Sequence, residues 1–322
     1  MKYSWSNIKS GWVFVIFLLG MHSISIAQSL NVTSIFSPGL NVGTEYLAPS
    51  QWNDSITFQL SKYKMKFSQP LRTKVGVALK DFNFKKMDAK ASQLFLEGQF
   101  NAIKPYTSVQ NNFTTIVNGS IGVKAIFASI RKGIWIYSGS LYFSENSSSF
   151  TQNFEPNFKG YIANIKTKNF KTFYIYGGGL LVHQGQIIPF PLLGLKTKLA
   201  KKLRAEVLLP VNIKLNYKVN KKISFDAVAN YSGINTVYRD GSAFKGTDQS
   251  VNLRQVKTYL AVNGKMNQHY KIRIEFGYSS FAQLHQWKNK ETQSLGSAPF
   301  VGLSVNYNFG KSVFGNFMSK AE

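Results

Sequence analysis

The stretch from Leu203 to Lys218, LRAEVLLPVNIKLNYK, places an apolar side chain at every second position. A period of two is that of a β-strand, whose successive side chains point to opposite faces. An ordinary strand has about five or six residues, so a strand of this length with charges on its second face is unusual in a soluble protein. The pattern therefore predicts one long strand in the wall of a membrane-spanning barrel, with Pro210 as a local break in its hydrogen bonding.

The same alternation recurs along the chain. It is clear over 223–231, 270–278 and 301–309, and weaker over 75–79, 121–127, 135–143 and 173–182. At Leu60 the apolar positions change parity and resume at Tyr63, which predicts a β-bulge or a bend. The predicted fold class is all-β, a single antiparallel transmembrane β-barrel of about 12 to 14 strands spanning 39–310.

The predicted connections are of two kinds. Barrels of this type place short turns on the periplasmic side and long loops outside the cell. Long polar connections are predicted at 145–158, 239–251 and 282–297. Tight ones are predicted near Gln69-Pro70, 131–133, Asn169, 201–202, 220–221 and 267–268. The expected alternation of short and long fails in the middle, where 200–203 and 218–222 are both short.

The N-terminus has the form of a secretory signal peptide. Lys2 and Lys9 precede an apolar run at 12–19, and Ser25-Ile26-Ala27 supplies the small residues of a cleavage site. We expect a signal peptide at 1–27, a periplasmic segment at 28–38 and a C-terminal tail at 311–322, with an uncleaved anchor as the alternative. Without cysteine the chain has neither a lipobox thiol nor disulfides.

Positive charge is in large excess, with 39 Lys and Arg against 14 Asp and Glu and a formal net charge of +25. The basic residues lie in short connections and on wet strand faces rather than in one stripe, which argues against nucleic acid as a partner. In a barrel this charge can meet outer-membrane lipid and lipopolysaccharide outside, or line the lumen inside. A soluble secreted β-sandwich that binds polyanions is a further alternative.

Charged residues on the wet faces are the candidate lumen residues. One interpretation is a plugged barrel in which these charges pair across strands, because an isolated inward charge is costly. The other is a narrow aqueous path whose basic lining favours a small anionic solute. The predicted lumen-facing residues are Arg204, Glu206, Lys214, Asp226, Lys271, Arg273 and Glu275.

Catalytic and metal-binding patterns are weak. His183 is the one plausible general base, and no nucleophile partner is visible for it, so the chain is not expected to be an enzyme. No residues have zinc-like spacing, Asp240 and Asp248 are weak calcium candidates, and no cofactor is expected. Gly177-Gly178-Gly179 lacks a phosphate-binding spacing and is interpreted as relief of crowding in a barrel strand.

Several segments resemble uncharacterised outer-membrane β-barrel families of Gram-negative bacteria. The resemblance lies in the leader ending Ile26-Ala27-Gln28, in 45–49, in 189–194 and in Leu208-Leu209-Pro210. It implies insertion by the barrel-assembly machinery, which reads a last strand ending in an aromatic residue. Phe309 fits that role, although 310–322 follow it and Phe314 or Phe317 are alternatives.

Two functions are compatible with these observations. The first is a passive outer-membrane channel or transport barrel with a basic lumen. The second is a non-conducting surface or structural barrel whose long loops bind an external partner, for which exposed aromatic loop residues such as Phe150, Phe154, Phe244 and Trp287 would be suited.

Overall fold

The computed structural model describes residues 38–52, 56–78, 88–108, 113–129, 132–146, 155–169, 171–184, 186–239, 249–286 and 291–310. All regular structure in these ranges is β-strand. The strands are β1 (Gly39–Gln51), β2 (Thr57–Ala78), β3 (Asp88–Thr107), β4 (Ile116–Ser129), β5 (Gly133–Asn146), β6 (Asn157–Asn169), β7 (Thr172–His183), β8 (Gln186–Lys198), β9 (Leu203–Leu209), β10 (Asn212–Lys218), β11 (Ile223–Tyr238), β12 (Gln249–Lys265), β13 (Tyr270–Gln286), β14 (Glu291–Leu295) and β15 (Ala298–Asn308).

The strands form one closed antiparallel barrel. Each strand from β1 to β13 pairs with its neighbour in sequence, β13 pairs with β15, and β15 pairs with β1. β14 pairs with the last residues of β13 and leads into β15, so it extends the wall without adding to its circumference. The wall therefore has 14 strands, within the predicted range.

Side chains alternate between an apolar outer face and a mixed inner face. On β15, Val301, Leu303 and Val305 are 50%, 46% and 39% exposed, while the residues between them, such as Ser304, are buried. Because successive side chains of a strand point to opposite faces, the exposed set covers the outside of the barrel and the buried set fills the inside. The apolar positions of the predicted alternation thus lie on the outside of the barrel, and the positions between them lie on the inside.

The two ends of the barrel differ in their connections. The end that carries Gly39 and Asn308, called here the terminal end, has tight turns, including 199–202, 219–222 and 266–269. The opposite end, called the loop end, carries the connections predicted at 145–158 and 239–251. The predicted long connection at 282–297 is wrong, because β13 extends to Gln286 and pairs with β14 at Glu291–Leu295. The predicted turn at Gln69-Pro70 is wrong, because both residues lie within β2, where the pairing with β3 shifts register between Pro70 and Arg72.

The predicted single strand from Leu203 to Lys218 is also wrong. The stretch is a hairpin. β9 pairs with β10 from Leu208–Asn212, beside the turn, to Leu203–Tyr217 at the terminal end. Three residues, 209–211, separate the pair Leu208–Asn212. A hairpin loop of three residues preserves parity, so the period of two continues unbroken through the turn. This extra connection at the loop end also explains why 199–202 and 219–222 are both short, since both lie at the terminal end.

The parity change at Leu60 has a different cause from the predicted bulge in that strand. Phe58 and Leu60 are buried inside the barrel, whereas Tyr63 and Met65 are exposed outside. β2 pairs with β3 in continuous register from Phe58 to Pro70, and the irregularity lies opposite, in β1 between Leu47 and Ser50. The apolar residues change face because the inner side of β2 is apolar near the loop end, at Phe58 and Leu60, and basic from Lys62 to Lys66.

Several predictions fall outside the described residues. These are the signal peptide at 1–27, nearly all of the periplasmic segment, the tail at 311–322, and the loop residues Asp240, Asp248, Phe150, Phe154, Phe244 and Trp287.

Candidate functional site

Charged side chains form rows across the inner face of β8, β9 and β10. Register places Lys196 beside Glu206, and Glu206 beside Lys214. The Lys214 ammonium lies 3.0 Å from the Glu206 carboxylate, and all three residues are buried. One row nearer the terminal end, Arg204 lies between Lys198 and Asn216. This part of the inner wall therefore carries more positive than negative charge.

Arg273 forms the centre of a second group. Its Nε donates to Glu275 Oε1 at 2.6 Å, and its Nη1 contacts both Asp226 Oδ2 and Asn263 Oδ1. Asp226 also accepts from Asn216 Nδ2 at 2.6 Å. Each member of the group has partners on neighbouring strands, as the paired interpretation of the wet face expects. The remaining predicted lumen residue is Lys271, whose side chain is exposed near the terminal end.

A lysine cluster on β2 was missed in the sequence analysis. Lys62, Lys64 and Lys66 occupy the inner face beside Glu45 and Glu97. Lys257 contacts Glu45, and the Lys124 ammonium lies 2.7 Å from Glu97 Oε1 and 4.9 Å from the Phe95 ring centroid. The sequence signal for it is Lys62-Tyr-Lys-Met-Lys66, in which lysines alternate with an apolar opposite face just after the parity change at Leu60.

The inner carboxylates of the described strands are all neutralised by bases. Each of them forms an ion pair with a lysine or arginine. They are Glu45, Glu97, Glu206, Asp226 and Glu275. Because lysines and arginines on the same face outnumber these carboxylates, the inner surface remains net positive, and such a surface attracts anions.

An apolar cluster closes the loop end. Its buried members come from strands on both sides of the opening, and include Leu60 of β2, Ile103 of β3, Tyr238 of β11 and Phe300 of β15. Ile103 is 0% and Tyr238 1% exposed, so no water-wide gap separates these side chains. Trp52 and Phe113 pack against the cluster, with their ring centroids 5.6 Å apart.

β11 reaches this cluster by crossing to β5. Val237 pairs with Glu145 in parallel, although five strands separate β5 and β11 around the wall. Arg239 Nη2 lies 2.9 Å from Glu145 Oε1 and 3.3 Å from Glu155 Oε2. Ser144 Oγ also donates to the Asn235 carbonyl. These contacts hold β11 over the opening.

The other candidate residues have structural surroundings. The Tyr142 hydroxyl lies 3.0 Å from His183 Nδ1, and the two rings stack. A Cβ added to Gly177 would lie 2.1 Å from the Ile162 carbonyl oxygen, as relief of crowding requires. Within the described ranges, no group of three or more His, Cys, Asp or Glu residues is placed to bind a metal ion.

Phe309 lies just beyond the last wall strand. It follows Asn308, is 44% exposed, and contacts the Tyr307 ring edge-on at a centroid distance of 5.8 Å. The ring centroids of Tyr270 and Tyr307 lie 4.9 Å apart, so aromatic side chains cluster at the terminal end. In the part of the chain that the structure describes, no helix has the length and apolar character needed to cross a membrane.

Comparison with solved structures finds outer-membrane barrels. The translocator domain of the autotransporter NalP from Neisseria meningitidis is 9% identical, with a TM-score of 0.31 over 94% of this chain and 98% of that one. An outer membrane channel from Pseudomonas putida F1 is 9% identical, with a TM-score of 0.39 over 88% and 98%. A Pseudomonas aeruginosa FadL homologue is 9% identical, with a TM-score of 0.33 over 84% and 90%.

No curated protein matches the sequence. A family model does match it, over residues 25–316, which include every strand of the barrel. The chain belongs to the family described as Domain of unknown function (DUF6268).

Proposed function

We propose that this protein is an outer-membrane channel whose interior favours small anions and whose loop end is closed in the conformation described. The observation that carries the proposal is the charge balance of the inner face, where each carboxylate is already paired and lysines remain in excess. Rings of lysine and arginine favour negative permeants. The apolar outer band fits a bilayer, in which paired strands of a barrel satisfy one another's backbone groups.

In the proposed membrane orientation, the terminal end of the barrel faces the periplasm and the loop end faces the outside of the cell. The chain would be inserted by the barrel-assembly machinery with Phe309 as the aromatic signal, and its basic exterior would meet anionic lipid and lipopolysaccharide. Permeation requires β11 to leave β5, because the apolar cluster otherwise fills the opening. Arg239 is the residue whose removal would favour this movement.

The test is a reversal potential across a planar bilayer with a tenfold KCl gradient. The Arg239→Ala variant is used so that the loop end opens, after unheated and boiled samples have shown different gel migration. We expect stable current steps with the sign of anion preference. Replacing Lys62, Lys64 and Lys66 together by Gln should reduce that preference, whereas Lys104→Gln, on the exposed outer face of β3, should not. A cation-favouring potential would contradict the proposal.

A second candidate is a non-conducting surface barrel whose loops bind an external partner. The buried apolar cluster across the loop end favours it, because such packing is a stable closure. Folded barrel that conducts neither as wild type nor as Arg239→Ala would support this candidate instead.

A further inference from the structure

The wall of the barrel is incomplete between β8 and β11. β9 and β10 have seven residues each, and their pairing with the flanking strands stops at Leu193–Leu209 and at Asn212–Asn230. The Tyr231 N–H still donates to the Val211 carbonyl, and residues 186–192 of β8 and 232–238 of β11 continue toward the loop end beyond the hairpin. The interval between these two segments, which no strand bridges, is called the notch.

The hairpin is too short to cross a membrane. Seven residues at about 3.3 Å each and a tilt of about 40° give a height of roughly 18 Å, below the roughly 25 Å of the apolar band of such barrels. The tip, Leu209-Pro210-Val211, has no polar side chain, whereas the turns at 199–202, 219–222 and 266–269 carry lysine, asparagine or glutamine. A turn in water is usually polar. The tip is therefore suited to the hydrocarbon layer.

The two edges of the notch are adapted to hydrocarbon. Pro189 and Pro191 lie on the free segment of β8, and β8 keeps continuous register with β7 through both of them. The N–H groups that proline lacks are therefore those of the open edge, where an unpaired donor would be costly. On the other side, β11 turns inward to pair with Glu145 of β5. The fold therefore accommodates an open strand edge on the β8 side of the notch.

The surroundings of the notch divide into an apolar and a cationic part. Leu192 and Leu208 belong to an inner apolar cluster that extends from β3 to β9, and Phe190 packs against it. The next rows toward the terminal end carry Lys196, Lys198, Arg204 and Lys214 against the carboxylates of Glu206 and Asp226, the second of which is also paired with Arg273. On the β10 side, Asn212 is 8% exposed and its Oδ1 has no hydrogen-bond partner.

A groove on the outer face leads to the same place. It has a volume of about 1050 Å³, its floor includes Gly139, Gly160 and Gly178, and it ends at Pro189–Pro191. The exposed side chains that border it, Tyr137, Ile162 and Leu180, are largely apolar and lie on the lipid-facing surface. An acyl chain in the bilayer would meet this groove without crossing water.

The geometry points to the notch as a lateral binding site for a single-chain amphiphile with an anionic head, such as a long-chain carboxylate. The acyl chain lies along the groove and the apolar edge at Phe190, and the head reaches the basic rows at Lys196 and Lys214. This inference rests on the proposed function, because it requires the wall to stand in a membrane. It adds a ligand class that the lumen charge alone does not define.

The test uses stearate with a nitroxide on its chain, added to the wild-type barrel in phosphatidylcholine nanodiscs. We expect the spin-resonance spectrum to contain an immobilised component of about one stearate per barrel, which nitroxide-labelled phosphatidylcholine does not give. Lys196→Gln with Lys214→Gln should weaken stearate binding about tenfold, as loss of charge-assisted contacts does, and leave nitroxide-labelled stearyl alcohol unaffected. Lys201→Gln with Lys221→Gln, in terminal-end turns, is the matched control.

A second variant tests the opening itself. Lengthening the β9–β10 hairpin by two residues on each strand should fill the notch and remove the immobilised component, whereas four residues inserted at 219–222 should not. If the lengthened barrel does not fold, a nitroxide on Leu209→Cys, in a chain with no other cysteine, reports depth by its collisions with oxygen and with a nickel chelate. A lipid-like signal supports the notch, and a water-like signal overturns it.

The experiments distinguish a failure of this inference from a failure of the proposed function. A barrel that conducts anions but shows the same immobilised fraction for stearate and phosphatidylcholine has no lateral site. Retention of the stearate component in the lengthened hairpin would also overturn the inference.

Discussion

The tallest and the shortest hairpins of the barrel differ in what their inner faces contain. β2 and β3 have 22 and 20 residues, and β9 and β10 have seven each. From the loop end, β2 presents apolar Phe58 and Leu60 and then Lys62, Lys64 and Lys66. The inner faces of β9 and β10 are mainly charged or polar, as at Arg204, Glu206 and Lys214. Basic inner rows thus occur on both sides of the barrel, whereas the closing apolar cluster is built by strands that reach the loop end, which β9 and β10 do not.

The largest expected effect is on the tall side. Ile103→Asp places an unpaired carboxylate in the closing cluster, where Ile103 is fully buried. We expect destabilisation of at least about 4 kcal/mol, measured as a shift of the urea midpoint in detergent micelles. Ile103→Val, which keeps the site apolar, should cost only about 1 kcal/mol. Equal stability of the Asp and Val variants would show that the loop end is wet.

A middle-sized effect is expected on the short side. Glu206→Gln removes the carboxylate that lies between Lys196 and Lys214 and leaves two buried ammonium groups together. Destabilisation of about 3 kcal/mol is expected from the same urea titration, because the lysines lose their charged partner. Glu291→Gln, on the exposed β14, is the control and should leave the midpoint unchanged. An unchanged midpoint for Glu206→Gln would mean that water, not pairing, satisfies these lysines.

The smallest expected effect concerns the hairpin tip. Leu209→Lys introduces a charge on the outer face of the tip, and we expect a cost of about 2 kcal/mol for folding into phosphatidylcholine bilayers if hydrocarbon surrounds it. Leu199→Lys, in a turn at the terminal end, should cost less than about 1 kcal/mol. Equal costs at the two positions would place the tip in the headgroup region and weaken the contrast between the two hairpins.

Much of the wall could be predicted from the sequence because alternation reports which residues face outward. The fold class, the strand number and the outward position of residues such as Val301 and Leu303 followed from it. The turn after Leu208 could not be predicted in this way, because a three-residue loop leaves the parity unchanged. Pro210 was the available signal, and it was interpreted as a break within one strand.

The candidate site was predicted less completely. Glu206, Lys214, Asp226, Arg273 and Glu275 were identified from their alternating positions, and the structure brings them into ion pairs. The pairing of Val237 with Glu145 depends on strands that lie far apart in sequence, so no local pattern indicates it. The closure of the loop end follows from that contact, which is why the sequence left both a plugged barrel and an open aqueous path as interpretations.

The most direct measurement is the conductance of a barrel with Glu145→Cys and Val237→Cys, in a chain that has no other cysteine. These positions are bridge partners, and adjacent strands lie about 4.8 Å apart, within the range for a disulfide. We expect no current steps in the oxidised form, and anion-favouring steps after reduction, because β11 is then free to leave β5. Equal conductance of the oxidised and reduced forms would contradict the closure of the barrel by β11.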